Sequence, residues 1–128
     1  MVVDTSVVVA ILVGEPDASS LAAALASATA PVMSAASYVE LLLVSLSRGI
    51  AGRSEVDETL IDAAIEIAPV SLEQARLAVT AFERFGKGRH PARLNFGDCF
   101  SYALAKERGL PLLFKGSDFA RTDIVSAL

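Results

Sequence analysis

Apolar residues occur in short blocks along the chain, and the polar residues between them punctuate rather than alternate. MVVDTSVVVA opens it, a run of valines holding one charge, Asp4. Val2–Asp4 is brief, β-branched and followed by a Thr-Ser pair, which predicts a buried strand running into a helix over 6–13 that ends at Gly-Glu-Pro. A helix over 17–28 follows, with Asp17 as its cap, then a strand at 30–34. The strongly apolar AASYVELLLVSLSRG reads as a helix closed by Gly49. Further helices are expected over 54–65 (capped by Ser54), 71–86 (capped by Ser71) and 95–109 (capped by Asn95, stopped by Gly109). Residues 65–70 and 110–114 read as strands, and 123–128 as a fifth at an edge. Strands that are continuous apolar runs, alternating with helices, predict a parallel sheet covered on both faces: an α/β sandwich in a single domain over 1–128. In such sheets the site lies at the carboxyl ends of the strands.

Composition narrows the class. Hydrophobic residues make up 53% of 128 residues, enough for one core and far too many for disorder. The single cysteine, Cys99, excludes an intramolecular disulfide, and with one histidine, His90, it excludes a Cys/His zinc site. Cys99 is expected to pack inside its helix, and His90 to lie on the surface beside Pro91. Residues 18–39 carry no charge but are Ala/Ser-rich and broken by Pro31, so no membrane span is expected. Asp4 stands where a secretory leader would be cationic, and a cytoplasmic protein is the expectation. Net charge is −4, unevenly spread. Residues 1–75 hold ten acids against two bases, and 76–128 hold five against nine, which leaves room for a cationic face.

Four acids fall just after strands or at helix starts: Asp4, Glu40, Asp98 and Asp118. Each has a plain reading as a capping residue. Asp4 precedes the first helix, Glu40 lies three after Ser37, Asp98 three after Asn95, and Asp118 opens a final turn. Glu40 has no Lys or Arg at i±3 or i±4, and Asp4 has no base nearby in sequence. Carboxylates in apolar surroundings need a hydrogen bond, a cationic side chain or a metal ion, and with no local cation the simplest candidate is a divalent metal, Mg²⁺ or Mn²⁺. Two ions roughly 3.5–4 Å apart would clamp a phosphodiester, and one ion could activate a water; the spacing leaves both open.

The stretches MVVDTSVVVAIL, SYVELLLV and RLNFGDCFSYALAKERGLPLLFKGSDFARTDI together resemble a PIN-domain ribonuclease of the VapC toxin type. The resemblance spans the whole chain, and the third stretch is its most specific part. It implies a PIN-like α/β/α sandwich with a central parallel sheet, Mg²⁺- or Mn²⁺-dependent endonucleolytic cleavage of RNA, and an antitoxin partner. It also matches Asp4, Glu40 and Asp98 to the family's acids and metal ligands, and Asp118 to its less uniform fourth. Thr5 and Ser6 match the polar pair that supports the first acid. Asp123 is a lesser, auxiliary candidate, and Asn95 is expected to cap rather than react.

The loop GKGRHPAR brings Lys87, Arg89, His90 and Arg93 close to Asp98. It reads equally as a phosphate-contacting loop and as a solvated connector, and it lacks the spacing of a P-loop. Lys115 and Arg121 flank Asp118 and suit either a phosphate or the acids. YVELLLVSL is apolar on more than one face, as a central helix or an interface helix for a homodimer or antitoxin would be. A phospho-acceptor signalling domain would need an acidic pair after the first strand, where Thr5 and Ser6 stand. An Asp-x-Asp phosphatase fails at Ser6, while a catalytically inert binding module would not need all four acids.

Overall fold

A computed structural model describes all of residues 1–128. Four short strands, β1 (Val2–Val3), β2 (Val32–Ser34), β3 (Glu66–Ala68) and β4 (Leu112–Leu113), pair in parallel in the order β3-β2-β1-β4. Two helices fill each crossover. α1 (Thr5–Val13) and α2 (Ala18–Ala26) precede β2, α3 (Ala35–Ser47) and α4 (Arg53–Asp62) precede β3, and α5 (Leu72–Phe85) and α6 (Phe96–Arg108) precede β4. The expected α/β/α sandwich is the observed one. No helix is long and apolar enough to cross a membrane.

Successive strand residues point to opposite faces, which divides each strand between two cores. Val2, Val32 and Leu112 pack with α5 and α6, whereas Val3, Met33 and Leu113 pack with α1–α4. Both faces are apolar, so the strands carry no alternation. β1 lies between β2 and β4, and the chain leaves it on one side and returns on the other. That reversal opens a crevice beyond the carboxyl ends of β1 and β4, the usual ligand position in such sheets. Asp4 is the first residue past β1, and its N–H donates to Leu113 O at 2.9 Å.

Helix starts show where local reading went astray. Ser71 and Asn95 cap α5 and α6 as expected. Asp17 occupies the cap position of α2 but makes no capping bond. α4 starts one residue before Ser54, and its cap is Gly52, whose N–H donates to Glu55 Oε2 at 2.7 Å. Ser34 caps α3, so Ser37 sits inside that helix and the capping-box reading of Glu40 fails. The expected fifth strand is a single parallel bridge from Leu112 to Ser126.

Asp123 secures this last segment. It accepts from Tyr102 Oη at 2.9 Å and Lys106 Nζ at 3.0 Å, with Arg84 Nη1 at 3.4 Å. Its partners all lie on α5 and α6, and it is not among the charges that lift Asp98, so the bonds it makes give Asp123 a structural role. Burial pushes its carboxyl up, but hydrogen bonds from Lys106 and Tyr102 and the charges of Lys106 and Arg84 outweigh that and hold it below the ordinary range. A depressed carboxyl stabilises the fold above the unfolded value, near 3.9, and that gain is lost as pH falls through the folded value. Asp123→Asn is therefore expected to lower unfolding stability by at most about 1 kcal/mol at pH 7, given the site's exposure. The difference should shrink as pH falls below about 4 in parallel denaturant titrations.

Candidate active site

Asp4 is 4% exposed, and hydrogen bonds reach both of its oxygens. Ser6 donates to Oδ2 twice, from its N–H at 3.0 Å and its hydroxyl at 2.6 Å. Ser101, on α6, donates its hydroxyl to Oδ1 at 2.7 Å. Each hydroxyl has a further contact: Lys115 N–H donates to Ser6 Oγ at 3.0 Å, and Ser37 Oγ lies 3.1 Å from Ser101 Oγ. The carboxylate among the valines is thus met by donors from α1 and α6, one of them buttressed by the residue that leaves β4. Its cap position on α1 is real as well, through the Ser6 N–H.

Glu40 reaches the same crevice from the second turn of α3. Thr5 Oγ1 donates to its Oε2 at 2.8 Å and lies 3.2 Å from Ser37 O. Its carboxylate rests on the backbone of Gly97, where a Cβ would overlap both oxygens. Burial raises its pKa, the Thr5 hydrogen bond lowers it, and the Asp4 charge raises it further, for a net rise.

Asp98 stands in the first turn of α6 in a reciprocal cap. Its Oδ2 accepts from Asn95 N–H, and Asn95 Oδ1 accepts from Asp98 N–H, each at 2.8 Å. Asn95 caps, as expected. Burial pushes the Asp98 carboxyl up to about 7, against the Asn95 bond and with the charges of Asp4, Glu40 and Asp118. Asp118 is exposed at the rim, opens a single 3₁₀ turn over Phe119–Arg121, and makes no capping bond. The structure therefore gathers Asp4, Glu40 and Asp98 from three elements, with Asp118 close enough for Asp98 to feel its charge.

The cations divide. Lys115 Nζ is paired with Glu15 and, at 2.9 Å, with Asp17, at the turn between α1 and α2. Arg121 Nη1 donates to Pro91 O at 3.2 Å. Lys87, Arg89 and Arg93 are exposed on the loop leading to Asn95, and Arg89 lies over the Phe82 ring at 5.7 Å. His90 is not the free surface residue expected: it is half-buried, edge-on to Phe85, and its Nδ1 accepts from Ala92 N–H at 3.0 Å. Cys99 is buried, and burial followed by the Asp98 charge pushes its thiol up to about 11.

Three residues of this site escaped the sequence reading: Gly97, Ser101 and Ser37. Their signal was spacing, since Gly97 precedes Asp98, Ser101 follows it by one turn, and Ser37 precedes Glu40 by one turn. No three acidic, histidine or cysteine groups converge as a ready ligand set. The donor chemistry still fits a hard divalent cation. Asp98 Oδ1 and Glu40 Oε1 have no hydrogen-bond partner, all the candidate donors are carboxylate oxygens, and the repulsion that adds to burial in lifting Asp98 is what a cation relieves.

A carboxyl raised on folding stabilises below its unfolded value near 3.9, and that contribution is lost as pH rises through the folded value. In chelator, Asp98→Asn should therefore match the parent's stability near pH 4. It should become more stable as pH rises to about 7, by roughly 1–2 kcal/mol once solvent screening is allowed for. Denaturant melts of both proteins across pH 4–8 measure this.

Comparison with known proteins agrees with this architecture. The family described as PIN domain matches residues 1–125. Ribonuclease VapC of Mycolicibacterium smegmatis is 51% identical over 127 residues, covering 98% of each chain. Ribonuclease VapC30 of Mycobacterium tuberculosis is 50% identical, covering 98% of this chain and 97% of that one. Among solved structures, Mycobacterium tuberculosis VapC20, described as a Sarcin-Ricin loop cleaving toxin, superposes with a TM-score of 0.74 at 19% identity, over 97% of this chain and 95% of that one. A toxin-antitoxin complex from Klebsiella pneumoniae gives 0.73 at 18%, over 99% and 97%. With half its residues shared over nearly the full length, and the same fold, the chain belongs to the PIN-domain family of VapC ribonucleases.

Proposed function

We propose that this protein is a Mg²⁺- or Mn²⁺-dependent endoribonuclease, the toxin of a toxin–antitoxin pair, acting in the cytoplasm. The observation that carries the reading is that Asp4, Glu40 and Asp98 border one crevice at the switch point of the sheet, near enough for the charges of Asp4 and Glu40 to add to the burial that raises Asp98 to about 7. Strongly perturbed carboxyls gathered in a crevice mark sites of chemistry. The names of the relatives give RNA as the substrate class.

Asp4, Glu40 and Asp98 would hold the ion, with Asp118 at the rim. When bound, it would supply positive charge at the phosphate and a water of lowered pKa. The protein's own part is geometric and electrostatic. Ser6 and Ser101 fix the plane of Asp4, Thr5 and Gly97 seat Glu40, and the Asn95 cap leaves Asp98 Oδ1 free to face the crevice. Lys87, Arg89 and Arg93, exposed before α6, are suited to backbone phosphates, whereas Lys115 is committed to Glu15 and Asp17. Val39, Leu43 and Leu46 form an exposed apolar stripe on α3, 52–62% accessible, which suits a homodimer contact or an antitoxin segment.

Asp4→Asn and Asp98→Asn should each lower RNA cleavage by at least about 100-fold, and chelator should abolish it; a variant or a chelated sample at parental rate would sink the nuclease reading. Gly97→Ala should keep its melting temperature within a few degrees, because alanine favours the helix by up to about 1 kcal/mol over glycine. Its cleavage rate should nonetheless fall about 10-fold, because Glu40 is displaced. Growth arrest on expression, relieved by Asp98→Asn, separates this reading from an inert binding module, and labelling by a phosphoryl donor would signal the phospho-acceptor alternative.

A further inference from the structure

Ser37 and Ser101 are both fully buried, on different helices. Each lies within a stretch that carries the family resemblance, but neither is among the residues matched to the family's acids or their polar supports. Ser101 has one hydroxyl hydrogen, and it points to Asp4 Oδ1 at 2.7 Å. In the 3.1 Å contact between the two serines, Ser101 must then be the acceptor and Ser37 the donor. The result is a directed chain from α3 through α6 to Asp4, each bond polarising the next. A carboxylate with a fixed donor on each oxygen has a fixed plane, and here Ser6 supplies the donor on Oδ2 and Ser101 that on Oδ1. Asp98 lies one turn before Ser101 on the same helix, so one rigid element presents Asp98 and also orients Asp4.

Ser45 shows what a buried serine without such a task looks like in this fold. It lies on α3, is fully buried, and its hydroxyl has no partner.

Resting on the metal-dependent reading above, we infer that Ser101, backed by Ser37, is a positioning residue that sets the Asp4 carboxylate plane relative to Asp98. It touches neither ion nor substrate, and it acts through Asp4 alone. Ser37 acts only through Ser101. Removing such outer partners of a ligand commonly costs ten- to a hundred-fold in metal affinity or activity.

The test uses the whole chain and Mn²⁺ alone as probe, with free Mn²⁺ read by electron paramagnetic resonance. Ser101→Ala should weaken Mn²⁺ binding about 10-fold, and on an RNA oligonucleotide it should lower kcat with KM unchanged. Ser37→Ala should shift both in the same direction by a smaller factor and add nothing in the Ser101→Ala background. Ser45→Ala should bind as the parent does. Parental Mn²⁺ affinity in Ser101→Ala, or an undiminished Ser37→Ala effect in the double variant, would overturn the assignment. If Ser101→Ala does not fold, Ser37→Ala decides alone, because it leaves the bond to Asp4 in place; parental Mn²⁺ affinity there overturns the proposal too. A parent that neither binds Mn²⁺ nor cleaves RNA defeats the nuclease reading and this inference together. A parent that does both beside an unaffected Ser101→Ala defeats only the inference.

Discussion

Burying one carboxylate governs much of this molecule. An acid at 4% exposure is tolerable only if its oxygens are met, and Asp4 draws its donors from positions 6 and 101. Those bonds tie the end of the central strand to the helix before β4, and Lys115 N–H extends the tie to the residues after β4. Hydroxyls serve better here than cations would. A buried Lys or Arg would neutralise Asp4 and close the crevice, whereas serines meet its lone pairs and leave the local charge negative. Burial lifts Asp98 and Glu40 first, and the negative charge that this choice leaves on Asp4 adds to the rise.

The distribution of cations is consistent with it. The carboxyl-terminal half is basic in sequence, yet few of its charges face the acids. Lys106 and Arg84 hold Asp123, and Lys115 is paired with Glu15 and Asp17. Lys87, Arg89 and Arg93 remain exposed on the loop before α6. An anionic centre with cations kept at a distance is an arrangement that admits a divalent ion and a polyanion together.

The layered parallel fold was legible because both sheet faces are apolar, and the order of elements followed from their caps and stops. Asp4, Glu40 and Asp98 stood out as candidates because they lie at strand ends and early helical turns, Asp4 and Glu40 also without local cations. The cap of α3 was misplaced because Ser34 and Ser37 are chemically equivalent in sequence, and only burial separates a capping serine from one inside the helix. Ser101 was passed over for a related reason: its partner is 97 positions away, and no local rule points across that distance. The terminal segment looked like a strand from its apolar residues, but side-chain bonds to Asp123 anchor its start and leave a single bridge to the sheet.

That 97-residue span has a consequence for how the protein is made. Asp4 is among the first residues to leave the ribosome, while Ser101 and Lys115 are among the last. A nascent chain ending before α6 lacks Asp98 and the outer half of Asp4's hydrogen bonds, so it cannot carry an assembled centre. The assembled centre therefore arises only when synthesis is nearly complete. For a chain of a ribonuclease family, late assembly means that the unfinished protein does not yet present the site.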